Sequence, residues 1–269
     1  MKASIYRIEP ASGGAVYAQS LDGASFEILE GSFPELSPTG QTVSGRVLAP
    51  IIPPAIYIVG YNYAGNPLEA RKEIGEHPVI VMKASSTVVG QGDAILIPGG
   101  LLGSDQVDYE GELAVVIGKS ARNVRREDAI SHIFGYTIAN DVTARDRQKG
   151  GAGGQWVRGK NFDSFCPLGP AIVPKEALKA IDDFKIQTWV NDTLRQEDST
   201  ASMIFSIPEI IEHLSASNTL LPGTVILTGT PAGTGVKMQP PQFLKVGDRV
   251  RIEISGLGVL ENPVLSEVL

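Results

Sequence analysis

Two glutamates one residue apart stand at the head of an apolar run, Asp108-Tyr109-Glu110-Gly111-Glu112-Leu113-Ala114-Val115-Val116-Ile117. Side chains of a strand alternate between its faces, so Glu110 and Glu112 share one face with a glycine between them. Like charges at that spacing repel, and the apolar residues that follow lead toward a core where unpaired charge is costly. Either the pair looks into solvent from an edge strand, or one carboxyl is protonated, or a cation stands between them. A third acid, Asp141, follows the apolar run Phe134 to Ala139, at a strand end of the kind that carries function. Three oxygen donors with no Cys or His beside them suit a hard ion, Mg²⁺ or Mn²⁺, and leave octahedral positions for water and substrate. Asp108 has the same parity as the two glutamates and is either a fourth ligand or the end of the preceding turn.

The elements that must position these acids are mostly strands. Short β-branched runs predict strands at Ile56 to Gly60, Val79 to Met82, Ala94 to Ile97, Leu113 to Ile117, Phe134 to Ala139, Ile186 to Val190, Val225 to Thr228 and Arg249 to Ile254. Two helices are predicted, Glu127 to Ile133 and Pro208 to Leu214, the second with Ser206 and Glu209 at capping-box spacing. Residues 1–54 alternate apolar runs with Gly, Ser and Pro and read as a small N-terminal β-unit. The stiff segment Pro50-Ile51-Ile52-Pro53-Pro54 links it to a main domain over 55–269. Asn62 to Glu76 mixes turn and helix signals, and the glycine-rich loop Gly150 to Gly154 has the composition of a gate. That loop lacks the flanking strand and helix of a dinucleotide fingerprint.

Composition narrows the function. A net charge of −7, from 30 acidic and 23 basic residues, disfavours a nucleic-acid surface. No apolar run is long enough for a membrane span and Met1 to Pro10 lacks a signal-peptide core, so a cytoplasmic protein is expected. The single cysteine, Cys166, fits a reducing compartment and reads as buried structure. Three histidines, His77, His132 and His213, form no spaced catalytic set with a serine.

Longer motifs surround the acids: Gly135-Tyr136-Thr137-Ile138-Ala139-Asn140-Asp141-Val142-Thr143-Ala144-Arg145-Asp146-Arg147-Gln148, Arg158-Gly159-Lys160-Asn161-Phe162-Asp163-Ser164-Phe165-Cys166-Pro167-Leu168-Gly169-Pro170, Leu221-Pro222-Gly223 and Thr228-Gly229-Thr230-Pro231-Ala232-Gly233. Together with Asp108 to Glu112 they closely resemble the fumarylacetoacetate hydrolase family over roughly residues 55 to 265. The resemblance implies a mostly β fold with some α, a mixed β-sandwich roll, usually homodimeric. It places Mg²⁺ or Mn²⁺ on Glu110, Glu112 and Asp141. It further implies an enzyme acting on a small anionic 2-oxo or 2,4-dioxo acid through a metal-stabilised enolate, by C–C hydrolysis or decarboxylation, or else by enol–keto isomerisation or a specialised lyase reaction. A weakly catalytic binding protein is the remaining alternative.

Onto the matching positions fall Arg145, whose fork suits a carboxylate, and Gln148, whose amide can orient a second oxygen. Lys160 is placed near the metal carboxylates as a catalytic charge, and Thr230 offers a hydroxyl in a glycine-flanked cradle. Lys83 stands either against substrate or in a structural ion pair. Tyr61 belongs to an intact Gly60-Tyr61-Asn62-Tyr63 segment on the substrate side. One departure matters. Where family members carry an H-x-x-E pair on a lid, this chain reads Asn66-Pro67-Leu68-Glu69. Asparagine cannot accept a proton at neutral pH, so Glu69 alone, or His77 if the lid folds back, is left for proton transfer beside Asn66. Decarboxylation and isomerisation need a water-activating pair less than hydrolysis does.

Overall fold

The computed structural model describes residues 3–64, 67–100, 103–149, 154–178 and 183–268. In chain order its elements begin with β1 (Ser4–Glu9), β2 (Val16–Ser20), β3 (Phe26–Ser32), β4 (Glu35–Val43), β5 (Arg46–Leu48) and β6 (Ile56–Gly60). Next come α1 (Pro67–Ile74), β7 (Val79–Lys83), β8 (Val88–Val89), β9 (Ile95–Ile97), β10 (Val107–Asp108), β11 (Gly111–Ile117), β12 (Ile133–Asn140), β13 (Thr143–Ala144), α2 (Arg145–Gln148) and α3 (Trp156–Lys160). The chain ends with β14 (Cys166–Pro174), β15 (Lys185–Val190), β16 (Thr193–Ser199), α4 (Ile207–Ser215), β17 (Val225–Leu227), β18 (Arg249–Ile254) and β19 (Gly258–Ser266). Strands dominate, as the sequence predicts.

One sheet runs β4-β3-β2-β1-β14-β12-β11-β17-β6-β7, with β5 on β1 and β8 on β14. A second runs β16-β15-β18-β19-β9, and β10 with β13 makes a short ladder. Neither sheet closes on itself. The strands of residues 4–48 keep a small core of Ile8, Ala18 and Phe26 and join the larger sheet through β1, where Ile5 lies opposite Ile172 of β14. Ala49 and Ile51, in the proline-rich connection, are buried in the core on that side.

β11 is buried along its whole length because it is sandwiched on both faces. Leu113, Val115 and Ile117 point into the core shared with β15, β18 and α4, while Ala114 and Val116 belong to the core on the other side. Such a strand shows no apolar–polar alternation, only an apolar run. α4 packs Ile207, Ile210, Ile211 and Leu214 inward at helical spacing, and the Ser206 N–H donates to Glu209 Oε2 at 2.9 Å as the capping reading requires.

The sequence reading does not foresee α2, α3 or β16, and two further differences have clear causes. The predicted helix at Glu127 to Ile133 is a 3₁₀ segment, Arg126–His132, with Ala129 its only buried side chain. Without an apolar stripe to dock, nothing extends it into a regular helix. β14 lies at the centre of the large sheet although Pro167, Pro170 and Pro174 depress its strand signal.

Candidate active site

The carboxylates meet where one ladder ends and another begins. β11 and β12 pair as far as Gly111 opposite Asn140, and β10 and β13 resume at Asp108 opposite Thr143. Between them the Asp141 N–H donates to Glu110 O at 2.8 Å, which sets the two acids side by side. Ligand oxygens of Glu110, Glu112 and Asp141 lie within 4.8 Å of one another, and all three residues are buried. Gly111 is needed between the glutamates because its other face meets β15: a Cβ there would stand 2.2 Å from Thr188 Oγ1.

Three buried cations interleave with the acids. The Lys160 ammonium, at the end of α3, contacts Glu110 Oε2 at 2.9 Å, Thr143 Oγ1 at 3.0 Å and also Asp141 Oδ2. Lys83, at the end of β7, pairs with Asp141 Oδ1 at 2.8 Å and donates to the carbonyls of Val142 at 3.0 Å and Lys160 at 2.6 Å. Arg145 gives Nε to Asp108 Oδ2 at 2.9 Å and Nη2 to Glu110 Oε1 at 2.7 Å. Burial works against the charge on Lys160, but Asp141 and Glu110 outweigh it and raise its pKa, so it is an ammonium ion. Burial likewise opposes ionisation of Asp141, yet Lys160 and Lys83 hold that carboxyl at about 2. Lys83 moves the other way, lowered chiefly by burial.

Glu112 is the acid without a cation of its own. Its Oε2 accepts the Gly229 N–H at 2.7 Å. Burial, then Asp141 and Glu110, raise its pKa well above the ordinary glutamate value. With every group ionised, Asp108, Glu110, Glu112 and Asp141 would face Lys83, Arg145 and Lys160 with one negative charge in excess in a water-poor site, and it is this excess that the raised pKa of Glu112 reflects. A divalent ion fits this set. The excess charge would then become positive, which suits an anionic ligand.

The remaining sequence-predicted residues fall into place around this centre. Asp108 is no fourth ligand: its carboxylate accepts the N–H groups of Tyr109, Gly235 and Val236 as well as Arg145. Lys83 has its donors on protein acceptors and no side-chain exposure, so the structural ion pair is the alternative the geometry favours. Gln148 Oε1 lies 3.5 Å from Arg145 Nη1. Thr230 Oγ1 donates to Gly111 O at 3.0 Å and accepts from Gln196 Nε2 at 2.7 Å, so its loop grips Glu112 through Gly229 rather than through the threonine. Tyr61 is 63% exposed and packs edge-on against Trp156. Asn66, the Glu69 side chain and residues 150–153 of the glycine loop lie outside the described residues. His77 stacks on His213 at 5.3 Å, and His132 Nδ1 contacts Lys119 O. Cys166 is buried, and burial pushes its thiol up to about 12.

Gln196 and Asn140 are structural members of the site that sequence reasoning did not single out. The Gln196 side chain accepts from Gly111 N at 3.0 Å, and Asn140 Oδ1 accepts from Glu110 N at 3.0 Å. Asn140 could have been flagged by adjacency to Asp141. Gln196, 85 residues from Gly111, carries no local signal.

The fold is mostly β with open sheets, and its three convergent buried carboxylates could hold a metal ion. Residues 55–265 match the family described as fumarylacetoacetate (FAA) hydrolase, C-terminal, and the chain is an enzyme of that family. It is 46% identical over 220 residues to oxaloacetate tautomerase fahd2, mitochondrial, of Xenopus laevis, covering 81% of this chain and 68% of that one. It is also 46% identical over 223 residues to oxaloacetate tautomerase YisK of Bacillus subtilis (strain 168), covering 81% and 73%. A solved 5-carboxymethyl-2-hydroxymuconate delta-isomerase from Mycobacterium smegmatis superposes with TM-score 0.85 at 36% identity, over 98% of this chain and all 100% of that one. Among the described residues no helix is long and apolar enough to cross a membrane.

Proposed function

We propose that this enzyme interconverts the keto and enol forms of a small 2-oxo acid, with a divalent cation, Mg²⁺ or Mn²⁺, on Glu110, Glu112 and Asp141. The observation that carries the reading is the charge arrangement: a carboxylate trio short of one cation, with the Lys160 ammonium set among its oxygens. Three relatives named as tautomerases or isomerases support isomerisation over C–C hydrolysis or decarboxylation. Asn66, in the place where the family resemblance puts a histidine, agrees with a reaction that consumes no water.

The ion, when bound, supplies Lewis-acid polarisation of adjacent substrate oxygens. Lys160 contributes a fixed ammonium whose N–H groups can turn from Glu110 and Asp141 to an oxygen on which negative charge develops. Arg145 holds Glu110, and in this proposal Gln148, whose Oε1 lies 3.5 Å from Arg145 Nη1, orients the substrate's second oxygen. Keto–enol exchange takes a proton from the carbon beside the carbonyl and puts one on the carbonyl oxygen, so atoms balance without a co-reactant. In this proposal Glu69 carries that proton. A homodimer in the cytoplasm is part of the same proposal.

Ketonisation of enol-oxaloacetate, followed by ultraviolet absorbance, tests the reading. The expected result is acceleration that EDTA removes, that Mg²⁺ restores, and that Lys160→Met lowers by about a hundredfold. Failure to accelerate ketonisation, together with catalysed release of pyruvate from oxaloacetate or hydrolysis of an acylpyruvate, would overturn it.

A further inference from the structure

Beside Tyr109, which separates Asp108 from Glu110, lies a cavity distinct from the carboxylate site. Tyr109 departs from the chain opposite to Asp108 and Glu110 and forms part of the wall of a pocket of about 360 Å³ that none of the site residues lines. Val190, Phe243 and Leu244 add apolar surface, and Arg195 of β16 brings a guanidinium to it.

The arginine is incompletely used. Its Nη1 contacts only Met238 Sδ, at 3.3 Å, its Nε is buried without a hydrogen-bond partner, and no described hydrogen bond engages Nη2. A buried unpaired donor is rare in proteins and calls for a missing acceptor. The Nε and Nη2 groups of a guanidinium form the parallel pair that grips a carboxylate with two hydrogen bonds. The surrounding charges leave that edge open. Asp248 is occupied by Asn191 Nδ2 at 3.0 Å and by the Lys245 N–H at 2.8 Å, and Asp105 is exposed. The Lys245 ammonium, exposed at the rim, has no described partner. Asp105, Asn191, Gln242, Lys245 and Asp248 make the rest of the lining polar, so the pocket joins an apolar wall to convergent polar groups at the volume usual for a small-molecule site.

We propose that this pocket binds a small monocarboxylate with an apolar body, its carboxylate on the Nε/Nη2 edge of Arg195 and its body against Tyr109, Val190 and Leu244. The site is separate from the carboxylate trio and does not depend on the tautomerase reading.

Calorimetric titration with phenylacetate tests it, on the full chain loaded with Mg²⁺ and oxalate so that the catalytic centre is already occupied. One-to-one binding is expected, with benzyl alcohol, which has the same ring and no carboxylate, at least tenfold weaker. Arg195→Gln should weaken phenylacetate binding about tenfold or more, and Lys245→Ala, a change at an exposed position, about twofold. Absence of binding to the parent protein overturns the proposal, as does equal affinity for benzyl alcohol or an unchanged affinity in Arg195→Gln. The alcohol comparison needs no variant, so a misfolded Arg195→Gln leaves the proposal open to refutation.

Discussion

Two of the three carboxylates should respond to neutralisation with opposite signs when no metal is present. Glu112→Gln keeps an oxygen to accept the Gly229 N–H, now 2.7 Å from Oε2, and cannot carry the negative charge that burial, Asp141 and Glu110 disfavour at this position. The metal-free variant should therefore melt at or above the parent's temperature. Asp141→Asn removes the carboxylate of Lys83 and one of the two that hold Lys160, which keeps Glu110 alone. Breaking a buried pair on one side costs about 3–5 kcal/mol, so this variant should melt well below the parent. Added Mg²⁺ separates the cases further. At a hundred times its Kd a ligand that binds only the native state stabilises it by about 2.7 kcal/mol. For a chain of this size that is roughly 5–10 °C in Tm, at about 2–4 °C per kcal/mol. The parent should show this rise and both variants should lose most of it. Thermal melts in EDTA and in Mg²⁺ decide the matter. A metal-free Glu112→Gln that melts as low as Asp141→Asn, or either variant with the parent's full Mg²⁺ response, would refute the charge argument.

Other changes probe the frame around the trio. Gly111→Ala places a methyl 2.2 Å from Thr188 Oγ1, so an overpacking cost of about 1–3 kcal/mol and weaker Mg²⁺ binding are expected, with partial rescue by Thr188→Ala in the double variant. Equal melting of single and double variants would locate the strain elsewhere. Asn66→His restores the residue that the family resemblance places on the lid and should create or raise acylpyruvate hydrolysis; an unchanged rate counts against the lid account. The pKa of His213 is lowered by burial and then by His77, so its neutral form is favoured in the fold. That stabilisation is complete above the unfolded-state pKa near 6.5 and is lost as pH falls through the folded value. His213→Gln should therefore flatten the decline of Tm between about pH 7 and pH 5, and a parallel decline would exclude this contribution.

The carboxylate trio was legible because each acid sits at the end of an apolar run, and strand parity put Glu110 and Glu112 on one face before any coordinates. The capped helix at Pro208 was legible for a similar reason: its signals are local. What sequence could not show is where donors go. Arg145 and Thr230 have the chemistry to hold a substrate carboxylate, yet here Arg145 braces Asp108 and Glu110, and Thr230 bridges Gln196 and Gly111. Those partners come from strands far apart in the chain. β14 was hidden by its prolines, because strand propensity is judged residue by residue, whereas its place is fixed by pairing with β1, β8 and β12.

The break between two ladders is what allows acids to be buried so densely. Beyond Glu112, β11 faces a core on both sides, and a carboxylate there would have no room for a counter-charge. At the break the backbone makes single irregular bonds, Asp141 N to Glu110 O, Val142 N to Phe165 O and Arg145 N to Gln106 O, and cations can enter from the ends of other elements. Lys160 enters from the end of α3, Arg145 from the start of α2 and Lys83 from the end of β7. Lys83 ties these entries together, since one ammonium holds the Asp141 carboxylate and the carbonyls of both Val142 and Lys160. The position of the ammonium proposed to meet the substrate is thus set by the same buried charge that fixes Asp141, a proposed metal ligand, and the two cannot drift independently.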